Sequence, residues 1–437
     1  MNKRMWWLLL VVLVAGARGG AQAQFNGFAS ASYGYHSDPL YNYETIPDQL
    51  RQGYLELQYL QPVGKGTLSA AYVGGLMVFN TFTDRNYLEH SLRLGYRNAF
   101  GTPPPLSRRP GIPPAATQEE GDEENGEEDE EEDDRPVDPD SVRTFLDLQL
   151  RGSARHDKQA YREFDNTGIA LTAVLRMPVR RWYIRVLNDV GMRSYTDLPE
   201  LSNLTEHLTL QTGRVFRNGL SVGFAASGGM KYYTTDLVDT TQFESVRTYV
   251  EKENGKGKGG AKLVVPSDKK ILTNATTTIS WQVAAGIFGG FTWDGGSVLA
   301  DGWYRINPGN GTRYLAQYAN SSMLSEDIYS DFFSYDGPEG RIIWKQGLPL
   351  GLQSIITCGI ARKQFEAPAL DLTGTEAGVS RRDVHSYAEI WLSRYITLSD
   401  GLGLDVALSG AVVRNQSNDA YNDFGLYQVG VSIGLGF

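Results

Sequence analysis

The sequence predicts an all-β protein: a transmembrane, antiparallel, up-and-down β-barrel of about sixteen strands, with fourteen as the alternative count. Three observations predict this fold. Short segments alternate between apolar and polar residues, long and short connections take turns between them, and the chain ends on an aromatic residue within such a segment. After residue 24 no apolar run approaches the roughly 18 residues of a membrane helix, so only strands are left to cross a bilayer.

The last segment has the clearest pattern. From Tyr427 to Phe437 every second residue is apolar, and the residues between are Gln428, Ser432 and glycines. A period of two over a whole segment predicts a strand with one apolar and one polar face. In a transmembrane barrel the apolar face points to lipid and the small polar face lines the lumen.

The same alternation recurs along the chain, and charged residues stand on the second face of several segments, which suits a lumen better than the core of a sandwich. The predicted strands lie near residues 26–36, 52–61, 67–79, 87–99, 142–155, 167–178, 181–194, 204–216, 219–233, 274–291, 297–306, 339–347, 352–365, 384–397, 402–414 and 425–437. The eleventh and twelfth are the weakest, which leaves fourteen as the other count.

The connections supply an independent test, because bacterial barrels join their strands by short periplasmic turns and longer external loops. Short connections include 61–66, 218–219 and 399–401, and long polar ones include 37–51 and 235–270. They alternate in the order that an even strand count and two periplasmic chain ends require. The sequence therefore also predicts which end of each strand faces outward from the cell.

Residues 1–23 have the composition of an export signal. Lys3 and Arg4 precede an apolar stretch from Met5 to Ala15, and Ala21-Gln22-Ala23 forms a small-residue cleavage site. We therefore expect the mature barrel domain to span residues 24–437.

One connection departs from the alternation. Residues 102–140 replace an expected tight turn with a proline-rich piece followed by an acidic run. Glu119 to Asp134 carries 13 acidic residues and no basic ones, so the rest of the chain has a net charge of −10 + 13 = +3. Such a segment cannot bury enough apolar surface to offset its ordering entropy, which predicts a disordered periplasmic insertion.

The alternation also predicts the residues that face the lumen, because a charge on the lipid face would cost about 2–4 kcal/mol near mid-bilayer. The candidate pore-lining residues are Glu56, Glu89, Arg93, Asp147, Arg151, Arg155, Arg185, Asp189, Arg193, Asp301, Arg305, Lys345, Lys363, Glu389 and Asp405. A basic subset, Arg151, Arg155, Arg185 and Arg193, would favour anions. The alternative is that these charges pair across the lumen and fill it.

These features together resemble bacterial outer-membrane barrel proteins of the porin type. The resemblance spans the mature chain and is architectural: signal peptide, amphipathic strands, loop alternation and a terminal aromatic. It implies residence in the bacterial outer membrane, in contact with its lipid. It also implies that Tyr427 and Phe437, within the terminal segment, belong to a signal read by the barrel assembly machinery.

The function that this reading predicts is a porin-like channel for passive diffusion of small polar solutes or ions, without cofactor, metal or nucleic acid. Residues 309–337 are apolar enough to fold inward and constrict the pore, or else to cover its outer mouth. The alternative function is a non-conducting docking barrel whose acidic segment binds a basic periplasmic partner. Whether the barrel forms homo-oligomers stays open.

An outer-membrane hydrolase is the competing class. The phospholipase type needs a histidine and a serine two residues apart on one strand, so that both face the same side. None of the five histidines has this spacing: His90-Ser91 and His385-Ser386 are adjacent and point to opposite faces. The sequence therefore favours a protein that is not an enzyme.

Overall fold

The protein is described by a computed structural model. The described residues are 24–38, 47–100, 144–158, 165–179, 182–197, 199, 202–216, 218–235, 243–251, 262–273, 279–308, 314–316, 332–371, 376–420 and 422–437. The predicted signal peptide (1–23) and the predicted acidic insertion (102–140) lie outside them.

Within these residues, sixteen strands form one closed antiparallel barrel, and three more form a separate small sheet. The barrel strands are β1 (Gln24–His36), β2 (Asp48–Val63), β3 (Gly66–Phe79), β4 (Tyr87–Phe100), β5 (Thr144–Asp157), β6 (Asn166–Val179), β7 (Trp182–Tyr195), β8 (Asn203–Val215), β9 (Leu220–Tyr233), β12 (Ile279–Trp293), β13 (Gly296–Ile306), β15 (Gly337–Leu348), β16 (Leu352–Leu370), β17 (Glu376–Ser399), β18 (Leu402–Ser417) and β19 (Phe424–Gly436). The small sheet contains β10 (Phe243–Glu251), β11 (Lys262–Thr273) and β14 (Tyr314–Ala316).

The barrel closes where its first strand pairs with its last. The β1–β19 register runs from Phe28 opposite Gly436 to His36 opposite Gln428, and Phe437 and Gly27 exchange backbone hydrogen bonds of 2.6 and 2.9 Å. Each of the remaining barrel strands pairs with the strands on both of its sides. Closure satisfies the backbone groups that an open sheet edge would expose to hydrocarbon.

The short connections are tight turns at the end of the barrel where β1 begins and β19 ends. Asp294-Gly295 joins the paired residues Trp293 and Gly296, and Gly295 has a φ of 81°. The turn needs a positive φ at this position, which glycine adopts without steric cost. The predicted alternation of short and long connections is present in the described residues.

The strand count is the larger of the two predicted, and the differences lie at strand ends. β17 begins at Glu376 and β16 reaches Leu370, so most of residues 371–382, predicted to be an external loop, continues the β-ladder. β10, β11 and β14 fall in segments predicted as loops. Strands that project beyond the bilayer do not need an apolar face, so their alternation in the sequence is weak.

The outward face of the barrel is apolar. Ile287, Phe224 and Val412 are 62%, 59% and 60% exposed, and all of them lie on the same face as the alternating apolar residues of β19. Exposed apolar side chains in a continuous belt are stable in hydrocarbon and unstable in water. This belt is the surface of a membrane barrel. Within the described residues, no helix is long and apolar enough to cross a membrane.

Candidate functional site

The inward face of the barrel carries the candidate site. Residues paired directly across two strands lie on the same face, so the pairing can be followed from strand to strand around the wall. Ile433 of β19 is exposed on the outward face, so its chain neighbours Ser432 and Gly434 face inward. From these two residues, the strand pairing leads around the barrel to each predicted pore-lining residue. It puts Glu56, Glu89, Arg93, Asp147, Arg151, Arg155, Arg185, Asp189, Arg193, Asp301, Arg305, Lys345, Lys363, Glu389 and Asp405 on this face.

Two of the predicted carboxylates are paired with an arginine on the neighbouring strand. Arg97 donates to Asp147 from Nε at 3.1 Å and from Nη2 at 3.0 Å. Arg341 donates to Asp301 in the same way, at 3.0 and 2.9 Å. Both contacts run along the wall rather than across the lumen. These charges therefore cancel locally without blocking the route through the barrel.

Arg305 is the centre of a larger polar group. Its guanidinium donates to Gln282 at 3.1 Å and to Glu339 at 2.5 Å, and the Tyr335 hydroxyl donates to the other oxygen of Glu339 at 3.2 Å. The strands β12, β13 and β15 supply Gln282, Arg305 and Glu339, and the connection before β15 supplies Tyr335. The network stiffens this part of the wall because each polar group is held by another.

A polar recess lies on the wall formed by β5 to β9. It has a volume of about 240 Å³, and its charged lining residues are Arg151, Asp189, Arg193 and Lys231, with His207 beside them. Thr172 donates a 2.6 Å hydrogen bond to Asp189. Counting His207 as neutral, the recess has three cationic side chains and one anionic one. We call this group of residues the basic recess.

The predicted basic subset is therefore divided among three environments. Arg151 and Arg193 line the basic recess. Arg155 is buried and donates to Asp157 from two nitrogens at 2.7 Å each, while its guanidinium lies 4.1 Å from the Tyr87 ring centroid. Arg185 donates to Gln211 at 3.0 Å. An arginine held by a buried carboxylate and a ring is less available to a solute than one at an open recess.

A segment of the long external connection folds into the barrel and reaches the basic recess. Phe333, Ser334 and Tyr335 are buried, and Phe333 contributes to the lining of the recess. The segment is held by Asn307, whose backbone N–H donates to Asp336 at 2.5 Å and whose side chain donates to the Tyr335 carbonyl. Of the two predicted positions for residues 309–337, the described residues 332–336 have the inward one. Residues 314–316 form β14 of the small sheet, and residues 309–313 and 317–331 lie outside the described residues.

The remaining predicted residues have separate surroundings along the wall. Tyr54 donates to Glu56. Arg93 stands opposite Arg151, and Glu89 stands opposite Arg155. The Lys363 ammonium lies 4.8 Å from the Tyr335 ring centroid. Lys345, Glu389 and Asp405 stand opposite Ser297, Thr357 and Tyr395 respectively.

Several inward-facing residues were missed by sequence reasoning: Arg97, His207, Lys231, Glu339 and Arg341. Arg97 lies four residues beyond Arg93, and Arg341 lies four residues before Lys345, so the period of two contained the signal. Lys231 and His207 lie in strands whose inward faces consist mostly of small residues. The difference in polarity between the two faces of these strands is therefore small in the sequence. Their proximity in the basic recess follows from strand pairing and is invisible in a single sequence.

The histidines of the described residues do not come together in one place. His90 faces outward, where its Nδ1 lies 2.8 Å from the Tyr72 hydroxyl, whereas His207 faces the basic recess. In the described part of the chain, no group of three or more His, Cys, Asp or Glu side chains is arranged to hold a metal ion.

The class of protein follows from the closed wall, the apolar belt outside and the charged face within: this is a transmembrane antiparallel β-barrel. No protein-family model matches the sequence, and no curated protein matches it.

Solved structures similar in fold include three outer-membrane proteins of Pseudomonas aeruginosa. OprD has 8% identity and a TM-score of 0.45, and the match covers 96% of this chain and 96% of that chain. OpdL has 12% identity, a TM-score of 0.44 and coverage of 95% and 99%. OpdK, in a structure with vanillate, has 10% identity, a TM-score of 0.42 and coverage of 95% and 99%.

Proposed function

We propose that the protein is a passive diffusion channel for small polar solutes that favours anions. The observation that carries this proposal is the basic recess, where Arg151 and Arg193 line the lumen beside the buried Lys231, with Asp189 as the one carboxylate of the lining. The wall needs no cofactor to act in this way. Selection among solutes would come from charge and from the width of the passage.

The electrostatic argument starts from the walls of the lumen. Charges of one sign in a narrow passage with low-dielectric walls raise the local concentration of counter-ions and speed their entry. Arg97 and Arg341 are neutralised by their aspartates. The basic recess, by contrast, carries three cationic side chains and one anionic one, so its lining has an excess of positive charge.

Phe333 would set the size limit of the passage. It stands at the basic recess, so an anion attracted there meets the narrowed part of the lumen at the same point. Arginine binds carboxylates and phosphates through two parallel hydrogen bonds, so anions of this geometry would be held more strongly than chloride. Weak binding of this kind speeds entry and still permits release.

Planar-bilayer recordings of refolded protein test the proposal. We expect discrete conductance steps and, in a KCl gradient, a reversal potential that indicates chloride preference over potassium. Benzoate and phosphate added to one side should reduce the chloride current, whereas a neutral sugar of similar size should reduce it less. A bilayer that stays sealed under all conditions would overturn the proposal, and potassium preference would overturn its anion part.

A further inference from the structure

The outer surface of the barrel carries an arginine patch at its external end. On each of three neighbouring strands, an arginine lies two residues from an exposed apolar residue, on the same outward face and nearer the external end of the barrel. Arg362 follows Ile360 in β16, Arg382 precedes Val384 in β17, and Arg414 follows Val412 in β18. Ile360, Val384 and Val412 are 58%, 38% and 60% exposed, so the arginines stand at the edge of the apolar belt.

The register brings two of these arginines close together. Arg362 pairs with Val384, and Arg382 pairs with Gln364, so the two arginines are diagonal neighbours on one face of the β16–β17 ladder. Diagonal neighbours in an antiparallel ladder are roughly 7–8 Å apart, which long side chains can bridge. Gln364 and Gln416 lie on the same face and add amide donors beside the guanidinium groups.

The strands beside the patch carry other residues at the corresponding positions. The next strands, β19 and β1, carry Tyr427 and Tyr35 near the same end, and their tilted rings have centroids 5.9 Å apart. On the other side, β15 begins its outward face with Pro338. Tyrosine is the usual residue at a membrane interface, so three arginines on consecutive strands are a local departure from the aromatic girdle.

Arg414 has one partner of opposite charge. Its Nη2 lies 2.9 Å from Asp423, and both side chains are almost half exposed, at 46% and 44%. An exposed pair of this kind contributes little free energy, and a guanidinium has five donors, so it keeps others for a second anion. The patch as a whole remains cationic.

We infer that the arginine patch binds the phosphate groups of the phosphorylated glycolipid in the outer leaflet. A guanidinium is planar, always charged and able to donate two parallel hydrogen bonds to a phosphate. The patch lies beside hydrocarbon-facing residues, so a phosphate fixed to acyl chains can reach it while the chains cover Ile360, Val384 and Val412. This inference rests on the barrel's orientation in the outer membrane and not on conduction.

The experiment compares binding of lipid A, dephosphorylated lipid A and inorganic phosphate to the purified barrel in detergent, measured by native mass spectrometry. The test variant is R362Q/R382Q/R414Q. The matched control is R394Q, because Arg394 also faces outward on β17 but lies at the opposite end of the strand. Heat-modifiable migration on gels checks that each variant is folded, and the three single variants replace the triple one if it is not.

We expect lipid A to bind at least about tenfold more weakly to the triple variant and nearly unchanged to R394Q, since each lost charge-assisted hydrogen bond is worth more than a neutral one. Dephosphorylated lipid A should bind wild type as weakly as lipid A binds the triple variant. Equal binding of lipid A to wild type and the triple variant would overturn the inference. Inorganic phosphate binding as tightly as lipid A would overturn the assignment to a lipid.

The channel proposal can fail independently. The arginine patch faces lipid, so R362Q/R382Q/R414Q should keep the wild-type conductance. If every protein seals the bilayer but lipid A still discriminates between wild type and the triple variant, the channel proposal fails and the lipid site stands.

Discussion

The Phe333 ring lies against the backbone of Gly229 in β9: a Cβ built on Gly229 would approach Cε1 of Phe333 to 3.2 Å. Phe333 comes from the connection before β15, and β13 and β12 lie between β15 and β9 in the barrel. The ring therefore reaches over two strands of the wall to contact a third. Glycine at position 229 leaves room for this contact, which holds the inward segment beside the basic recess.

Phe333→Ala should increase the single-channel conductance, because it removes a ring from the narrowed part of the lumen. The measurement is the conductance step in planar bilayers at fixed KCl concentration. Phe224→Ala is the matched control, since Phe224 faces outward and is 59% exposed. An unchanged step in Phe333→Ala would mean that the narrowest point lies elsewhere.

Arg193→Gln combined with Lys231→Gln should shift the reversal potential in a KCl gradient toward cation preference. The two changes turn three cations and one anion at the basic recess into one of each, so the attraction for anions is lost. Arg214→Gln removes a positive charge from the outward face and should leave the reversal potential unchanged. Equal shifts in both proteins would show that net charge, rather than the recess, sets selectivity.

Asp301→Asn should strengthen anion preference, because Arg341 then loses the carboxylate that neutralises it. Adding Arg341→Gln should bring the reversal potential back toward the wild-type value. Unfolding free energy should change by less than about 1 kcal/mol, because Arg341 is 47% exposed and an exposed pair contributes little. The check is a double-mutant cycle of reversal potentials; additive shifts would contradict electrostatic coupling within the pair.

Asp383→Ala should lower the free energy of unfolding by about 3–5 kcal/mol, because it leaves a buried arginine without its carboxylate. Arg381 donates to Asp383 from Nη2 at 2.5 Å with side chains 10% and 1% exposed, and Ser417 donates to the same carboxylate at 2.6 Å. Asp423→Ala breaks an exposed pair and should cost less than about 1 kcal/mol. Urea unfolding in detergent micelles measures both; similar losses would refute the role of burial.

Phe437→Ala should reduce the fraction of protein that reaches the folded outer-membrane form. Backbone bonds between Phe437 and Gly27 close the barrel and survive the change, so the refolded variant should keep near wild-type stability in detergent. Ile433→Ala is the control on the same outward face. Heat-modifiable migration in membrane fractions gives the folded fraction; equal fractions for both variants would argue against an assembly signal at the terminal aromatic.

Sequence periodicity was sufficient to predict the positions of the strands that cross the bilayer. The alternation of β19 or β18 needs no partner to be recognised, because successive side chains of a strand point to opposite faces whatever lies beside it. The first part of β17, residues 376–383, was not predicted as a strand because its residues do not alternate. Water or protein covers both faces there, so residues 376–383 do not need to alternate.

The neighbours of each inward residue could not be predicted in the same way. Asp301 and Arg341 are 40 residues apart, and they meet because the β13–β15 register pairs them directly. The contact of Phe333 with Gly229 depends further on barrel closure and on the direction in which the external connection folds. Both depend on hydrogen bonds between distant segments, which leave no local pattern.

The sequence alone determined that the chain forms a barrel of about sixteen strands and which face of each strand meets lipid, because lipid and lumen impose a strict alternation on every crossing. Tertiary structure alone decided that Arg193 and Lys231 share one recess and that Arg155 is instead held by Asp157. It also decided that the outward arginines of three neighbouring strands lie at the same end of the barrel. The physical reason is that alternation is a property of one strand, whereas these contacts depend on the register between strands.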